Sequence, residues 1–456
     1  MLTLLLVASV LAQPPGPPAQ PPAADPPPLA SDDTAWLAAN AVRIRSIDPR
    51  ERDFADLRPL KTFIGEARIV QLGEQSHGDG ACFLAKCRLV EFLHQEMGFD
   101  VLVWESGLFD CRLADKGLRD PAIPIDDAWR NGIFGIWCLS AQVQPVLQYI
   151  RAAAATERPL EVAGYDCQFS SGKVERWVDA MAKHMAPLGE SHPSARVLEA
   201  LRRDAQRLQD DKAPIETLRG LKQGLENLAG LADGSRAKLI ESHGEPEAIF
   251  MRRTIDDART TLAMTLATAT HKGGAYAGGH LNARDQRMGE NLIWLANERY
   301  KGRKLIVWAA TMHEVHDVQA IRPQQNPDMY KNAVTAGTVA KKALGDAMYT
   351  IAFDAHEGEA ATAFRPQAFP IEPSPTESLG DHLSKLGHPF LYVDLKTAPA
   401  WHWLRAEFVM RPLGYMPMNA VWSRQVDGVF FTHTMFRSTR QGLAPEKAVL
   451  TVPDTR

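Results

Sequence analysis

Five ionisable residues stand just beyond short runs rich in β-branched and aromatic residues. Glu74 and His77 lie in Gly73-Glu-Gln-Ser-His-Gly78, after the run from Arg68 to Leu72. Glu105 ends the run from Val101 to Trp104, and Asp166 closes Gly164-Tyr-Asp166 after the run from Leu160 to Ala163. His313 follows the run from Lys304 to Trp308. A histidine among carboxylates suits activation of water as a general base, because the acids orient the ring and stabilise its protonated form. Lys86 falls on the helical stretch after His77, where it reads equally as an oxyanion donor or a carboxylate partner. No Gly-x-Ser-x-Gly elbow presents a serine nucleophile. Ser170-Ser-Gly-Lys173 lacks the spacing of a phosphate loop.

The same inventory supports a metal reading. In His313-Glu-Val-His316-Asp317 the two histidines share a face if the stretch is helical. The pattern is not His-Glu-x-x-His, yet with Glu74, His77 and Glu105 it supplies enough ligand types for a divalent ion. A metal-dependent hydrolase therefore stands as the alternative to a metal-free, cofactor-free one.

Positioning these groups falls to the apolar runs. Runs of four to six such residues, alternating with helical periodicity, predict an α/β fold with a mainly parallel central sheet flanked by helices. The carboxyl ends of parallel strands share one edge, the usual place for a ligand, so residues far apart in sequence should converge there. The runs Met348 to Phe353, Phe390 to Val393 and Gly428 to Phe431 extend the sheet. Residues 172–272 carry leucine stripes at helical spacing and no strand signal. They predict an all-helical insertion acting as a lid, between a first hydrolytic segment at 34–171 and a second at 273–456.

Composition excludes more than it identifies. With 51 Lys+Arg against 55 Asp+Glu and a net charge of −4, nothing favours nucleic acid. The apolar run from Leu2 to Leu11 is too short to span a bilayer, and small residues follow it, so residues 1–12 read as a signal peptide. Residues 13–33 read as a Pro/Ala-rich tether. These features predict a secreted or periplasmic protein without stable membrane insertion. The five cysteines form no CxxC and read as small buried residues.

Taken together, Gly73–Gly78, Phe83 and Lys86, Val103-Trp-Glu105, Phe134-Gly-Ile-Trp137, Gly164-Tyr-Asp166, and Arg284-Asp285 with Met288, Glu290 and Asn291 resemble the erythromycin esterase family. The resemblance spans roughly residues 66–316 and is weak in the helical insertion and beyond Lys331. It implies hydrolysis of a macrolide lactone without a covalent intermediate or a required metal, and with it a role in macrolide resistance. It places the general base on His77, its partner acid on Glu74, a further acid on Glu105 and the basic helix residue on Lys86. The family's late pair of histidines falls on Ala310 and His313, so the first is replaced in this chain. His316 offers compensation from the other side. Asp166, Lys86, Arg284 and His316 are the expected substrate contacts, with His313 and Arg284 or Lys86 facing the oxyanion. Arg284-Asp285 reads equally as an ion pair at a helix start. The replacement at position 310 also keeps open an exported, non-catalytic binding protein. Otherwise the expected partner is a small ester or lactone.

Overall fold

The computed structural model describes residues 31–270, 280–363, 367–440, 442 and 448–452. The expected signal peptide and most of the expected tether lie outside them. The first helix, Ser31–Asn40, begins within the last residues of that tether.

One nine-stranded sheet organises the chain. Its strands are β1 (Val42–Arg43), β2 (Ile69–Leu72), β3 (Val101–Gly107), β4 (Glu161–Asp166), β5 (Leu305–Trp308), β6 (Met348–Ala360), β7 (Phe369–Ile371), β8 (Phe390–Asp394) and β9 (Gly428–Met435). Their spatial order is β1-β8-β9-β6-β2-β5-β3-β4, with β7 alongside β6. The pairs from β9 through β4 are parallel, whereas β8 and β1 run antiparallel at one edge and β7 pairs antiparallel with β6. The mainly parallel α/β expectation holds, and every strand read from the sequence is present.

Central strands buried on both faces need apolar residues at successive positions, which is why their runs are unbroken. Each run divides its side chains by period two. Val70, Leu72, Leu102, Trp104, Ile306 and Trp308 face one core, shared with the helix Gly80–Met97. Ile69, Val101, Val103, Leu305 and Val307 face the other.

The helical stretch is built into that second core. Its helices from Val174–Met185 to Glu245–Thr270 contribute Trp177, Met181, Leu221, Leu225, Ile255 and Leu262 to the cluster that covers the sheet. The predicted leucine stripes thus form a packed layer over the β3–β4 end. A third cluster, around Leu379, Val393, Met410 and Trp422, covers the β8–β9 end. All five cysteines are free and buried. No described helix is long and apolar enough to cross a membrane.

Candidate active site

The turn after β2 carries the first group. Gly73 leaves the strand against the one-turn helix Thr311–Glu314, where a side chain would not fit. A Cβ there would lie 3.1 Å from Glu314 Oε2 and nearer still to the Thr311 hydroxyl. The Glu74 carbonyl accepts the Thr311 N–H at 3.0 Å, tying the ends of β2 and β5 together.

The Glu74 side chain is fully buried and fully engaged. Its Oε1 is 2.8 Å from His77 Nδ1 and accepts the Trp137 indole N–H at 3.1 Å, while Oε2 accepts Lys86 Nζ at 2.7 Å. Lys86 is also fully buried. It donates to the Ala309 carbonyl at 3.3 Å and lies 4.4 Å from the centre of the Trp308 ring. The structure therefore gives Lys86 the carboxylate-partner place, out of reach of an incoming oxyanion.

His77 keeps 20% of its side chain exposed, and its ring meets Trp137 edge-on at 5.3 Å. With Nδ1 on Glu74, Nε2 has no partner among the described residues. Burial pulls the ring's pKa down, but the Glu74 hydrogen bond and the charges on Glu105 and Glu74 outweigh it. The net shift is upward from 6.5.

A second group lies across the sheet edge. A register shift between Trp104 and Gly107 marks a bulge in β3, a device that re-aims side chains, and Glu105 lies within it. Asp166 ends β4, and the helix His280–Trp294 supplies Arg284 and Asp285. Arg284 grips Asp166 through Nε at 3.1 Å and Nη2 at 2.6 Å, and Nη2 also reaches Glu105 Oε1 at 3.0 Å. The reading of Arg284-Asp285 as a mutual ion pair is not what forms. Asp285 Oδ1 instead takes His313 Nδ1 at 2.7 Å and the Ala336 N–H at 3.0 Å.

His313 Nε2 lies 3.1 Å from Glu105 Oε1 and 3.2 Å from Arg284 Nη1. A neutral ring would accept from the arginine, and an imidazolium would donate to the glutamate. With a carboxylate at each nitrogen, the imidazolium is the better assignment. Burial opposes it, but Asp285 and Glu105 raise the pKa to about 10. For Glu105, burial raises the pKa, but His313 and Arg284 outweigh it and hold the carboxyl well below the usual range. With His313 donating on both sides, Arg284 Nη1 is left without an acceptor among the described residues, on a side chain 13% exposed.

Of the eight expected site residues, seven therefore converge on one edge. His316 is not among them. Its Nε2 lies 2.9 Å from Thr350 Oγ1, its N–H goes to the Gln425 carbonyl, and burial lowers its pKa to about 4. It gives no compensation for Ala310, whose contribution is a backbone N–H donated to Glu105 Oε2 at 2.9 Å.

Three participants were not assigned from sequence. Trp137 lay inside a resembling block with no stated role, and Asp285 was read only as an ion-pair partner of Arg284. Glu314, beside His313, is fully buried, with neither oxygen hydrogen-bonded among the described residues, and burial drives its pKa well up. Burial thus favours its uncharged form behind the cluster. No three His, Cys, Asp or Glu side chains among the described residues are disposed as metal ligands. Glu74 and Glu105 are instead taken up by Lys86, Trp137, Arg284, His313 and the Ala310 N–H.

The turn is held from outside as well. The Gly78 carbonyl accepts the Ala361 and Ser438 N–H groups, and a Cβ on Gly78 would meet Ala361 N at 2.8 Å. Backbone cannot yield as a flexible side chain does. Gly78→Ala is expected to cost ~1–3 kcal/mol in urea denaturation. An unchanged midpoint would show that the turn is not seated on Ala361.

A model of the erythromycin esterase family matches residues 94–435. The chain belongs to the erythromycin esterase family. The match includes Glu105, Asp166, Arg284 and His313, and begins after the Gly73–Gly78 turn. It also runs through the helical stretch and well past Lys331, where the sequence resemblance had been weak.

The YbfO protein of Bacillus subtilis (strain 168), named as a hydrolase, is 26% identical over 427 residues, covering 88% of this chain and 91% of its own. A Bacillus cereus protein of known crystal structure superposes with a TM-score of 0.73 at 18% identity, covering 91% of this chain and 100% of that one. A mutant of the erythromycin esterase EreC in its open conformation superposes with a TM-score of 0.69 at 15% identity, covering 88% and 99%. These superpositions share the fold. Family membership and the relative's name support a hydrolase acting on a small molecule.

Proposed function

We propose that the protein hydrolyses a carboxylic ester or macrolide lactone by direct attack of water, with His77 as the general base. The observation that carries this reading is the His77 ring itself, tied to Glu74 through Nδ1, partly exposed, and with Nε2 unpartnered among the described residues. A neutral imidazole so held donates its Nδ1 proton to the carboxylate and offers Nε2 to water.

The surrounding charge favours that step. Four carboxylates, Glu74, Glu105, Asp166 and Asp285, face three cations, Lys86, Arg284 and protonated His313. A proton arriving on His77 therefore lands in a site with one negative charge in excess. As water attacks the carbonyl carbon, its proton passes to His77 and the carbonyl oxygen becomes an oxyanion. Arg284 Nη1 is the donor left for it. Collapse expels the alkoxide, which takes the proton back from His77. The acid and alcohol leave with no covalent enzyme intermediate.

The working protonation state is the neutral base, and the His77 pKa is shifted upward. Rate therefore rises with pH and levels off, with its midpoint above 6.5. Glu74→Gln keeps an acceptor oxygen for Nδ1 but removes the charge that supports the shift, so the midpoint moves down. A pH profile of kcat/KM for both forms checks this.

Mass spectrometry of purified protein with macrolide lactones and simple esters, with and without chelator, tests the whole reading. The expected result is a ring-opened product heavier by one water from a lactone, or free acid and alcohol from a simple ester, formed equally well with chelator. No turnover across the panel would support a binding protein instead. Turnover lost to chelator and restored by a divalent ion would establish a metal-dependent hydrolase. The apolar run before the Pro-rich segment supports action outside the cytoplasm, in line with removal of an antibiotic before it enters the cell. Fractionation of cells expressing the full chain, scored with macrolide susceptibility, tests that part.

A further inference from the structure

Gln75 lies between the two members of the proposed base pair. Its side chain is buried, at 4% exposure, and has partners of its own. Nε2 donates to Asp354 Oδ1 at 3.0 Å and to the Arg411 carbonyl at 2.9 Å, so both amide hydrogens are used. The Gln75 carbonyl accepts the Gly414 N–H at 2.9 Å. Asp354 belongs to β6, whose Ile351 is in register with Leu72 of β2, so the aspartate sits just past the level at which the β2 turn begins. The Arg411 guanidinium fixes the same corner by donating to the carbonyls of Ala355, His356 and Glu372 and to Ser374 Oγ.

We propose that Asp354, acting through Gln75, is a positioning residue for the Glu74–His77 pair. This rests on the reading of His77 as the base. A buried amide that loses its acceptor must find another or stay unsatisfied, at ~1–3 kcal/mol. Its other amide hydrogen and its main-chain carbonyl are already held, and its Oε1, buried without a partner among the described residues, offers no anchor in exchange. The main chain between Glu74 and His77 moves with it, and the 2.8 Å contact between Nδ1 and Oε1 is what suffers. The groups facing His77 are Glu74, Glu105 and His313, and those facing Asp354 are Arg411 and Tyr415. None of these is altered by substituting Asp354.

The test compares Asp354→Leu, which removes the acceptor while keeping the branched shape, with Asp354→Asn, which keeps an oxygen. The full chain carries labelled histidine, and the His77 signal is identified as the one missing from His77→Asn. In D354L its titration midpoint is expected to fall toward 6.5. With 4-nitrophenyl acetate, kcat is expected to drop about tenfold or more with KM within about twofold. D354N is expected to restore both, whereas a purely structural role would lower stability and leave the midpoint of the folded protein in place. Wild-type titration and kcat in D354L, or D354N behaving as D354L, would overturn the inference. If D354L does not fold, Gln75→Ala is read in the same way. Full turnover in His77→Asn would instead remove the function reading, while the titration still reports whether Asp354 braces the pair.

Discussion

His77→Asn is expected to lower kcat on any ester or lactone substrate by ~10²–10⁴, with a much smaller change in KM. Asparagine keeps a polar side chain at the position but cannot accept a proton at neutral pH. The residual rate should lose the limb that rises through the shifted midpoint, because the group responsible for it is gone. The substitution is also expected to leave the fold intact, since only Glu74 among hydrogen-bond partners faces this ring, and Glu74 keeps Lys86 and Trp137. Kinetics across pH, paired with a thermal melt, separates these effects. A variant that retains wild-type kcat rules His77 out as the base.

Arg284→Met is expected to affect activity and stability together. Removing the guanidinium leaves Asp166 and Glu105 facing each other inside the protein, both nearly inaccessible to water. Breaking a buried ion pair from one side costs ~3–5 kcal/mol, more than an exposed pair of the same length would. The oxyanion also loses its donor, a loss of ~10²–10³ in kcat. Arg284→Lys separates the two roles. One ammonium can offset charge but cannot span Asp166 and Glu105 while keeping a free donor, so stability should recover more than activity. Urea midpoints and kcat measured on both variants decide it. An R284M protein as stable as the wild type would show that the two carboxylates are not held ionised by this arginine.

The elements that carry the site were legible because their signals are local. A strand buried on both faces must be apolar residue after residue, and Ile69 to Leu72, Val101 to Trp104 and Leu305 to Trp308 announce themselves in this way. In a parallel sheet the carboxyl ends share one edge, so Glu74, His77, Glu105, Asp166 and His313 could be brought together from sequence alone. The helical stretch was equally plain as helix. Its place as a layer of the second core depends on which sheet residues its stripes meet, and periodicity does not carry that.

What each charged group pairs with was not legible. Arg284 and Asp285 are neighbours in sequence, yet successive positions on a helix do not face each other. Arg284 goes instead to partners 118 and 179 residues away, and Asp285 to His313. His316 looked like a second site histidine because of its spacing, but the one-turn helix ends at Glu314, and the chain beyond it turns toward Thr350.

The sequence by itself determined the α/β class, the strands and the set of ionisable residues at their ends, because burial on both faces and strand direction are written residue by residue. Only the tertiary structure decided that Lys86 serves Glu74, that His313 lies between Asp285 and Glu105, that Arg284 joins Asp166 to Glu105, and that Asp354, Ala361, Arg411, Gly414 and Ser438 hydrogen-bond to the turn bearing His77. Those outcomes depend on distances between segments far apart in the chain. In a buried site, where an unpaired charge is costly, the pairing that forms is the one that leaves the fewest charges unmet.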